Sequence, residues 1–181
     1  MEDQWRIAKY DPEWNILFRT IGTRLREALR EIAVRIDHVG STSIVGMEAK
    51  PIIDIQISVA NFENEDRYIT IMENLGFVLR RDNPDRTKTY FREAPGSRRT
   101  HIHVRHTGSF SEQMTLLFRD YLREHPGDCL KYAGEKHRLM GLFKNDRPKY
   151  VEGKGPVVWE IMRNAHRWSQ ETGWEPGRSD A

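Results

Sequence analysis

The sequence predicts an α+β fold, in which a mixed β-sheet is flanked by helices and followed by a C-terminal helical segment. Apolar residues recur at helical spacing over residues 12–33. Short segments that are apolar throughout, or that alternate between polar and apolar residues, fall between residues 34 and 106 and are typical of strands. After residue 109 the apolar spacing is helical. An α/β fold with a mixed sheet is the alternative.

Length and composition limit the class of protein. At 181 residues the chain is expected to form one domain, 1–181, with a core over residues 1–108 and C-terminal helices over residues 109–170. Lys and Arg number 29 and Asp and Glu 27, a formal net charge of +2. So small a charge does not favour binding to nucleic acid. The single cysteine, Cys129, excludes an internal disulfide framework and a multi-cysteine metal site.

The sequence contains no recognisable targeting segment. Residues 1–10 are polar and charged and show no signal peptide. No apolar run approaches the roughly 18 residues that a transmembrane helix needs. We therefore expect a soluble cytoplasmic protein without a membrane partner, and the sequence does not indicate an oligomeric state.

The first helix has clear N-terminal features. Asp11 is suited to be its N-cap and Pro12 its first residue, so we expect a helix over residues 12–33. We expect a short strand next, over residues 34–39, and then a Gly/Ser turn with about one helical turn over residues 40–50. Residues 51–59 are expected to form an apolar strand that is buried on both faces.

The rest of the chain is divided in the same way. Gly76 is expected to end a helix over residues 65–75. Three strands are predicted next, over residues 77–81, 87–93 and 100–106. Three helices are predicted after them, over residues 111–124, 127–142 and 157–170. Residues 144–156 are expected to be a loop, with the last helix beginning at residues 150–154 as the alternative. The polar tail from residue 172 is expected to fray.

The turn Gly-Ser-Thr-Ser at residues 40–43 is a candidate anion site. Gly40 permits a sharp turn after the strand. Ser41, Thr42 and Ser43 offer hydroxyls and backbone N–H groups at a helix start, where anions bind. An ordinary turn or helix cap is the alternative interpretation.

Asp54 and two histidines are candidates for a metal or catalytic site. Asp54 lies in an apolar strand, where a carboxylate is costly unless it is paired or bound to a metal. Lys50 or an arginine is the alternative partner. His101 and His103 share one face of an alternating strand and can share a ligand, although a solvent-facing stripe predicts the same alternation. No third histidine at a recognisable spacing supports a closed zinc site.

Basic residues on the predicted helices are candidates for phosphate binding. Two Tyr-x-x-x-Lys pairs place both members on one helix face: Tyr132 with Lys136, and Tyr150 with Lys154. An exposed helix face with solvated lysines is the alternative for each pair. Arg119 is expected to point either to the site or to Asp120 and water.

Several of these segments together resemble the GrpB family, a group within the nucleotidyltransferase superfamily. The similarity lies in His-Val-Gly-Ser-Thr-Ser-Ile-Val-Gly, in Ala-Lys-Pro-Ile-Ile-Asp-Ile, in Arg-Thr-His-Ile-His-Val and in the stretch from Phe118 to Pro126, with the Tyr132 and Lys136 pair after it. It extends over most of the chain, from about residue 10 to residue 168.

The resemblance implies a nucleotidyltransferase-like core similar to that of DNA polymerase β. In such a core a Gly-Ser turn holds a nucleoside triphosphate, and acids on the next strand bind Mg²⁺ or Mn²⁺. Gly40 and Ser41 match the turn, and Asp54 matches the first acid. Gln56 occupies the position of the second acid. Phosphoryl transfer with two metals needs ligands for both ions, so this position bears directly on catalysis.

Three functions follow as hypotheses. The first is a metal-dependent nucleotidyltransferase that uses a nucleoside triphosphate and an unidentified small-molecule or protein acceptor. The second is a non-catalytic nucleotide- or anion-binding module, and the third is a single-metal phosphoryl hydrolase with a histidine as general acid or base. In each case the ligand is a nucleotide or another phosphorylated small molecule.

The residues expected to form the site follow from the first hypothesis. The catalytic group is Asp54, His101 and His103, with Asp54 as the ligand of Mg²⁺ or Mn²⁺. The residues expected to bind phosphate or nucleotide are Gly40, Ser41, Thr42, Ser43, Lys50, Arg119, Lys136 and Lys154. The hypothesis requires Ser41, Asp54 and His103 to converge on one cleft.

Overall fold

The computed structural model describes residues 6–181, so the first half of the polar N-terminal stretch lies outside the described residues. The helices of the described part are α1 (Glu13–Leu29), α2 (Asp66–Asn74), α3 (Phe110–Glu124), α4 (Pro126–Leu142), α5 (Arg147–Gly153) and α6 (Gly155–Thr172). The strands are β1 (Ala33–Val39), β2 (Ile53–Val59), β3 (Phe77–Leu79), β4 (Thr89–Glu93) and β5 (Thr100–His106). In the same part of the chain, every helix is too short or too polar to cross a bilayer.

The α+β class with a mixed sheet and C-terminal helices is confirmed. The five strands form one sheet in the order β1-β2-β5-β4-β3. Strands β2 and β5 are parallel, and the other three pairs are antiparallel. In the parallel pair Asp54 lies opposite His101 and Gln56 lies opposite His103. Because alternate residues of a strand share a face, these four side chains are directed to the same side of the sheet.

The boundaries of the elements differ from the predicted ones by about two residues in most cases, as is usual at frayed ends. The first helix is shorter, because it ends at Leu29 and a short 3₁₀ helix, Arg30–Ile32, follows. The segment expected to be a loop contains a separate helix, α5. Asp146 caps that helix, since its Oδ1 accepts a hydrogen bond from the Lys149 backbone N–H at 3.1 Å.

Two apolar clusters position the functional elements. The larger one lies between the sheet and helices α1 and α2, and it includes Trp14, Ile55 and Met72. The second joins α3, α4 and α6 and takes in Ile44 and Met47 from the segment after Gly40. The Gly-Ser turn is therefore held between the sheet on one side and the C-terminal helices on the other.

The C-terminal tail lies along β1, so the expectation that it frays is wrong. The backbone N–H groups of Asp180 and Ala181 each donate to the Ile36 carbonyl at 3.1 Å. Ser179 Oγ accepts from the Ile36 N–H at 2.8 Å, and Asp180 Oδ2 accepts from the His38 N–H at 3.0 Å. Because β1 is at the edge of the sheet, these polar tail residues supply hydrogen-bond partners that a neighbouring strand would otherwise provide.

Arg119 joins the tail to α3 and β1. Its side chain is only 4% exposed and lies 2.7 Å from Asp120, 2.9 Å from Asp180 and 3.5 Å from Asp37. It also donates to the His38 carbonyl at 3.1 Å. Burial opposes the charge on the guanidinium, but the carboxylates outweigh burial and raise the pKa of Arg119. Arg119 is thus enclosed in an ion-pair network that stabilises the fold.

Replacing Asp180 is expected to destabilise the protein. The Asp180→Ala substitution removes a charge-assisted hydrogen bond to Arg119 and the acceptor of the His38 N–H, which we expect to lower the free energy of unfolding by about 1–3 kcal/mol. Urea unfolding measures this change. Glu175→Ala removes the same charge from an exposed position of the same tail, and a change below about 0.5 kcal/mol is expected there. Equal losses in the two variants would contradict the role given to Asp180.

Candidate functional site

Asp54, His101 and His103 meet on one face of the sheet. Asp54 Oδ1 lies 3.3 Å from His101 Nδ1 and 3.6 Å from His103 Nε2. The Asp54 side chain is 28% exposed, and those of the two histidines are 12% and 20% exposed. The histidines are therefore partners of Asp54 rather than a solvent-facing stripe, and the group is still accessible from outside.

The protonation of this group follows from burial and from the short contacts. Burial opposes ionisation of Asp54, but the close contacts with His101 and His103 outweigh it and hold the pKa of the carboxyl well below its usual range. Burial lowers the pKa of His103 more than the Asp54 carboxylate raises it. At neutral pH the group therefore contains an ionised Asp54 beside a neutral His103, which can bind a cation or accept a proton.

The backbone at Gly40 passes directly over the Asp54 carboxylate. Gly40 has φ 68° and ψ −176°, a conformation that is almost restricted to glycine. A Cβ atom at this position would lie 2.6 Å from Asp54 Oδ2. Both the backbone conformation and the space above Asp54 therefore require glycine at position 40.

Lys136 connects the turn to helix α4. Its Nζ donates to Ser41 Oγ at 3.1 Å and to the Glu48 carbonyl at 2.6 Å. The residue is 4% exposed, and its Nζ lies 4.9 Å from the centroid of the Tyr132 ring. Burial, with Lys154 nearby, lowers the pKa of Lys136 to about 8. This lysine is buried beside Ser41 rather than placed on a solvated helix face.

The second tyrosine–lysine pair adds more positive charge to the same region. Lys50 Nζ lies 4.0 Å from the centroid of the buried Tyr150 ring, and Lys154 Nζ lies 5.1 Å from it. Burial and the charges of Lys154, Arg147 and Lys136 lower the pKa of Lys50 to about 7. Burial also lowers the pKa of Lys154, against the attraction of the Asp54 carboxylate. Cations that depress one another's pKa values in this way favour a multivalent anion among them.

Three other residues expected in the site have structural partners. Thr42 is fully buried, and its hydroxyl donates to the Ile52 carbonyl at 3.0 Å. The Ser43 hydroxyl donates to the Gly40 carbonyl at 2.6 Å and so closes the turn. The guanidinium of Arg119 lies among the carboxylates described above. We therefore leave Thr42, Ser43 and Arg119 out of the proposed site.

Sequence reasoning missed two residues next to the histidines. The Tyr90 ring stacks on His103 with a centroid distance of 5.1 Å and an interplanar angle of 14°, and it meets His101 edge-on at 5.7 Å. Lys88 Nζ lies 5.3 Å from the Tyr90 centroid. Alternation in the strand places Tyr90 and Lys88 on one face, but the antiparallel pairing of β4 with β5 that brings them to the histidines has no local signature.

The donor atoms do not match the pair of Mg²⁺ ions that the resemblance implies. Mg²⁺ prefers oxygen ligands. Asp54, His101 and His103 offer one carboxylate and two imidazoles, with the three ligand atoms within 4.8 Å of one another. Gln56, in place of the second acid, is fully buried, and its Nε2 donates to the Glu112 carbonyl at 3.3 Å. The residues present suit one cation rather than two.

Comparison with known proteins gives consistent matches over most of the chain. The family model described as GrpB protein matches residues 4–164. A UPF0157 protein of Pseudomonas aeruginosa is 36% identical over 167 residues, which cover 91% of this chain and 69% of that protein. A UPF0157 protein of Halalkalibacterium halodurans is 34% identical over 160 residues, covering 88% and 82%. The crystal structure of GrpB from Enterococcus faecalis has a TM-score of 0.82 at 28% identity, covering 94% of this chain and 100% of that chain.

An alanine at position 40 is expected to be more harmful than an alanine at position 46. Both glycines have positive φ, but nothing lies within 4 Å of a Cβ at Gly46. Gly46→Ala therefore carries backbone strain alone, about 1–2 kcal/mol. Gly40→Ala adds the clash with Asp54, and we expect at least about 1 kcal/mol of further destabilisation in urea unfolding. The close approach of Gly40 to Asp54 would be refuted by equal losses in the two variants.

Proposed function

The chain belongs to the GrpB family, and on that premise we propose that it is a nucleotidyltransferase acting on a nucleoside triphosphate. The acceptor is a small molecule or a protein, and the reaction depends on a divalent cation at Asp54. One observation carries this proposal. Asp54 and its two histidines lie beside a Gly-Ser turn whose Ser41 accepts a hydrogen bond from the buried Lys136.

The lysines are the residues suited to bind the phosphates of the nucleotide. Lys136 is fixed against Ser41, while Lys50 and Lys154 lie over the Tyr150 ring. A bound triphosphate would relieve the mutual repulsion of these cations and would accept charge-assisted hydrogen bonds from them. Because they remain in place during transfer, the same charges stabilise the negative charge that develops on the leaving pyrophosphate.

Asp54, His101 and His103 are suited to position and stabilise the phosphate group at which transfer occurs. Transfer of a nucleotidyl group depends mainly on the positioning of the reactants and on electrostatic stabilisation. A cation bound at Asp54 would supply Lewis-acid stabilisation of the phosphate oxygens. His101 and His103 lie on either side of the Asp54 carboxylate oxygen. We therefore expect the acceptor to approach from the solvent-exposed side of these three residues.

A second candidate function is a nucleotide- or anion-binding module without transfer chemistry. The observation in its favour is Gln56, whose amide is buried and donates to the Glu112 carbonyl instead of presenting a second carboxylate. A phosphoryl hydrolase using one cation is the third possibility that the same group of residues allows. The anion-binding lysines serve all three functions, so turnover distinguishes them.

Replacing Lys136 is expected to weaken nucleotide binding. Lys136→Gln removes a charge-assisted contact of about 1.5–3 kcal/mol, which corresponds to roughly a 10- to 100-fold higher Kd for nucleoside triphosphates in calorimetry with Mg²⁺ or Mn²⁺. Lys131 lies on the same helix and is paired with Glu160 on the surface. Lys131→Gln is the matched control and is expected to leave Kd within about twofold.

Label transfer then separates the three functions. Incubation with an α-labelled triphosphate and candidate acceptors gives a labelled acceptor for a transferase, and free labelled nucleotide for a hydrolase. Binding without turnover identifies a binding module. A chain that binds no triphosphate, with or without divalent cation, overturns the proposal.

Nucleotide affinity is expected to fall as the pH rises. The pKa values of Lys50 and Lys136 in the free protein are about 7 and about 8. Both lysines are protonated below these values and lose the charge that binds phosphate above them, so each contributes at most about tenfold per pH unit to the loss of affinity. Calorimetry between pH 6.5 and pH 9 measures the slope. Lys136→Gln is expected to flatten it above about pH 8, and an unchanged slope in that variant would exclude Lys136 as the titrating group.

A further inference from the structure

We infer that Asp54, His101 and His103 together bind one divalent transition-metal ion of the first row, such as Zn²⁺ or Co²⁺, in preference to Mg²⁺. This inference names the cofactor of the site in the proposed function and rests on that function only for its role in transfer. The metal site itself is testable without a nucleotide.

The distances between the donor atoms match one coordination sphere. Two bonds of about 2.1 Å that meet at a tetrahedral angle hold their ligand atoms roughly 3.4 Å apart. The Asp54 carboxylate oxygen lies 3.3 Å from His101 Nδ1 and 3.6 Å from His103 Nε2. All three donor atoms lie within 4.8 Å of one another. An ion among them fits the two distances to Asp54 as they stand and keeps its remaining positions for water or phosphate oxygens.

The chemistry of the donors selects the class of ion. Imidazole nitrogen suits zinc, copper, iron and nickel, whereas carboxylate, carbonyl and water oxygens suit Mg²⁺. The group contains two imidazoles and one carboxylate. The buried Gln56 donates its amide to the Glu112 carbonyl, so a second carboxylate is missing where the resemblance implies one. Both features disfavour Mg²⁺ and favour a transition-metal ion.

The rings are held with one nitrogen each toward Asp54. Tyr90 stacks on His103 and meets the edge of His101. The far nitrogens, His101 Nε2 and His103 Nδ1, are buried without a hydrogen-bond partner among residues 6–181. Because the far nitrogens form no hydrogen bonds within these residues, the rings are oriented by packing against Tyr90 and by the contacts of their near nitrogens with Asp54. Rings that are fixed before the ion arrives lose little freedom on binding it.

The charges around the group give the ion a role toward phosphate. The ionised Asp54 alone would repel a phosphate that the lysines attract. A dication bound to one carboxylate and two neutral imidazoles carries a net positive charge, so it turns this repulsion into attraction. The lysines and the ion would then bind the same anion from two sides.

Metal titration without nucleotide tests the inference. Protein freed of metal by chelator and dialysis is titrated separately with Zn²⁺, Co²⁺, Mn²⁺ and Mg²⁺ in a calorimeter. We expect one ion per chain, with Zn²⁺ and Co²⁺ bound at least about 100-fold more tightly than Mg²⁺. The visible absorption of bound Co²⁺ in the unmodified chain reports nitrogen ligation without the need for a variant.

Two glutamine variants and a control assign the ligands. His101→Gln and His103→Gln each remove one imidazole, and we expect each to weaken Zn²⁺ binding at least about 100-fold. His106 is exposed, belongs to the same strand and lies on the opposite face. His106→Gln is expected to change the affinity by less than about twofold, and thermal unfolding checks that the variants are folded.

The outcomes distinguish this inference from the proposed function. It is overturned if Mg²⁺ binds as tightly as Zn²⁺, if two ions bind per chain, or if His103→Gln binds Zn²⁺ as the unmodified chain does. Nucleotide binding with Mg²⁺ and no transition-metal binding would refute the metal site and leave the nucleotidyltransferase proposal standing. Tight Zn²⁺ binding by a chain that binds no triphosphate would refute the nucleotidyltransferase proposal and leave the metal site standing.

Discussion

The absence of a side chain at position 40 is the constraint on which the arrangement of the whole site depends. The backbone passes so close to Asp54 that even a methyl group would displace the carboxylate. The same turn continues into Ile44 and Met47, which are buried in the cluster formed by the C-terminal helices. The position of the strand that carries Asp54 and the position of helix α4, which carries Lys136, are thus linked through one short segment. A disturbance there would reach both halves of the site.

Two groups of buried or half-buried cations lie near this turn, and they are balanced differently. Arg119 is surrounded by three carboxylates, so its charge is compensated within the protein and contributes to the fold. Burial and neighbouring cations lower the pKa values of Lys50, over the Tyr150 ring, and of Lys136, beside Ser41. A cation enclosed by carboxylates is typical of a structural network, whereas several cations gathered in one region are typical of a ligand site.

Most of the fold could be predicted from the sequence, because the helices and strands carry their own periodicity and caps. The importance of Asp54 was also predictable, since a carboxylate in an apolar strand needs a partner. Tyr90 was not predictable as a neighbour of His103, because strand pairing is a non-local choice. The environment of Arg119 was equally hidden, since Asp37 and Asp180 come from distant parts of the chain. Helix α5 was missed although Asp146 and Pro148 are good N-terminal residues of a helix.

The tail along β1 has a consequence for the behaviour of the protein in concentrated solution. An uncovered edge strand is a template for pairing with another polypeptide, and the residues from Ser179 to Ala181 occupy that template at Ile36 and His38. A tail that detaches leaves the edge open to a second molecule, and the same bonds form equally well between two chains as within one. Exchange of tails between neighbouring molecules therefore needs no contact that the single chain does not already make.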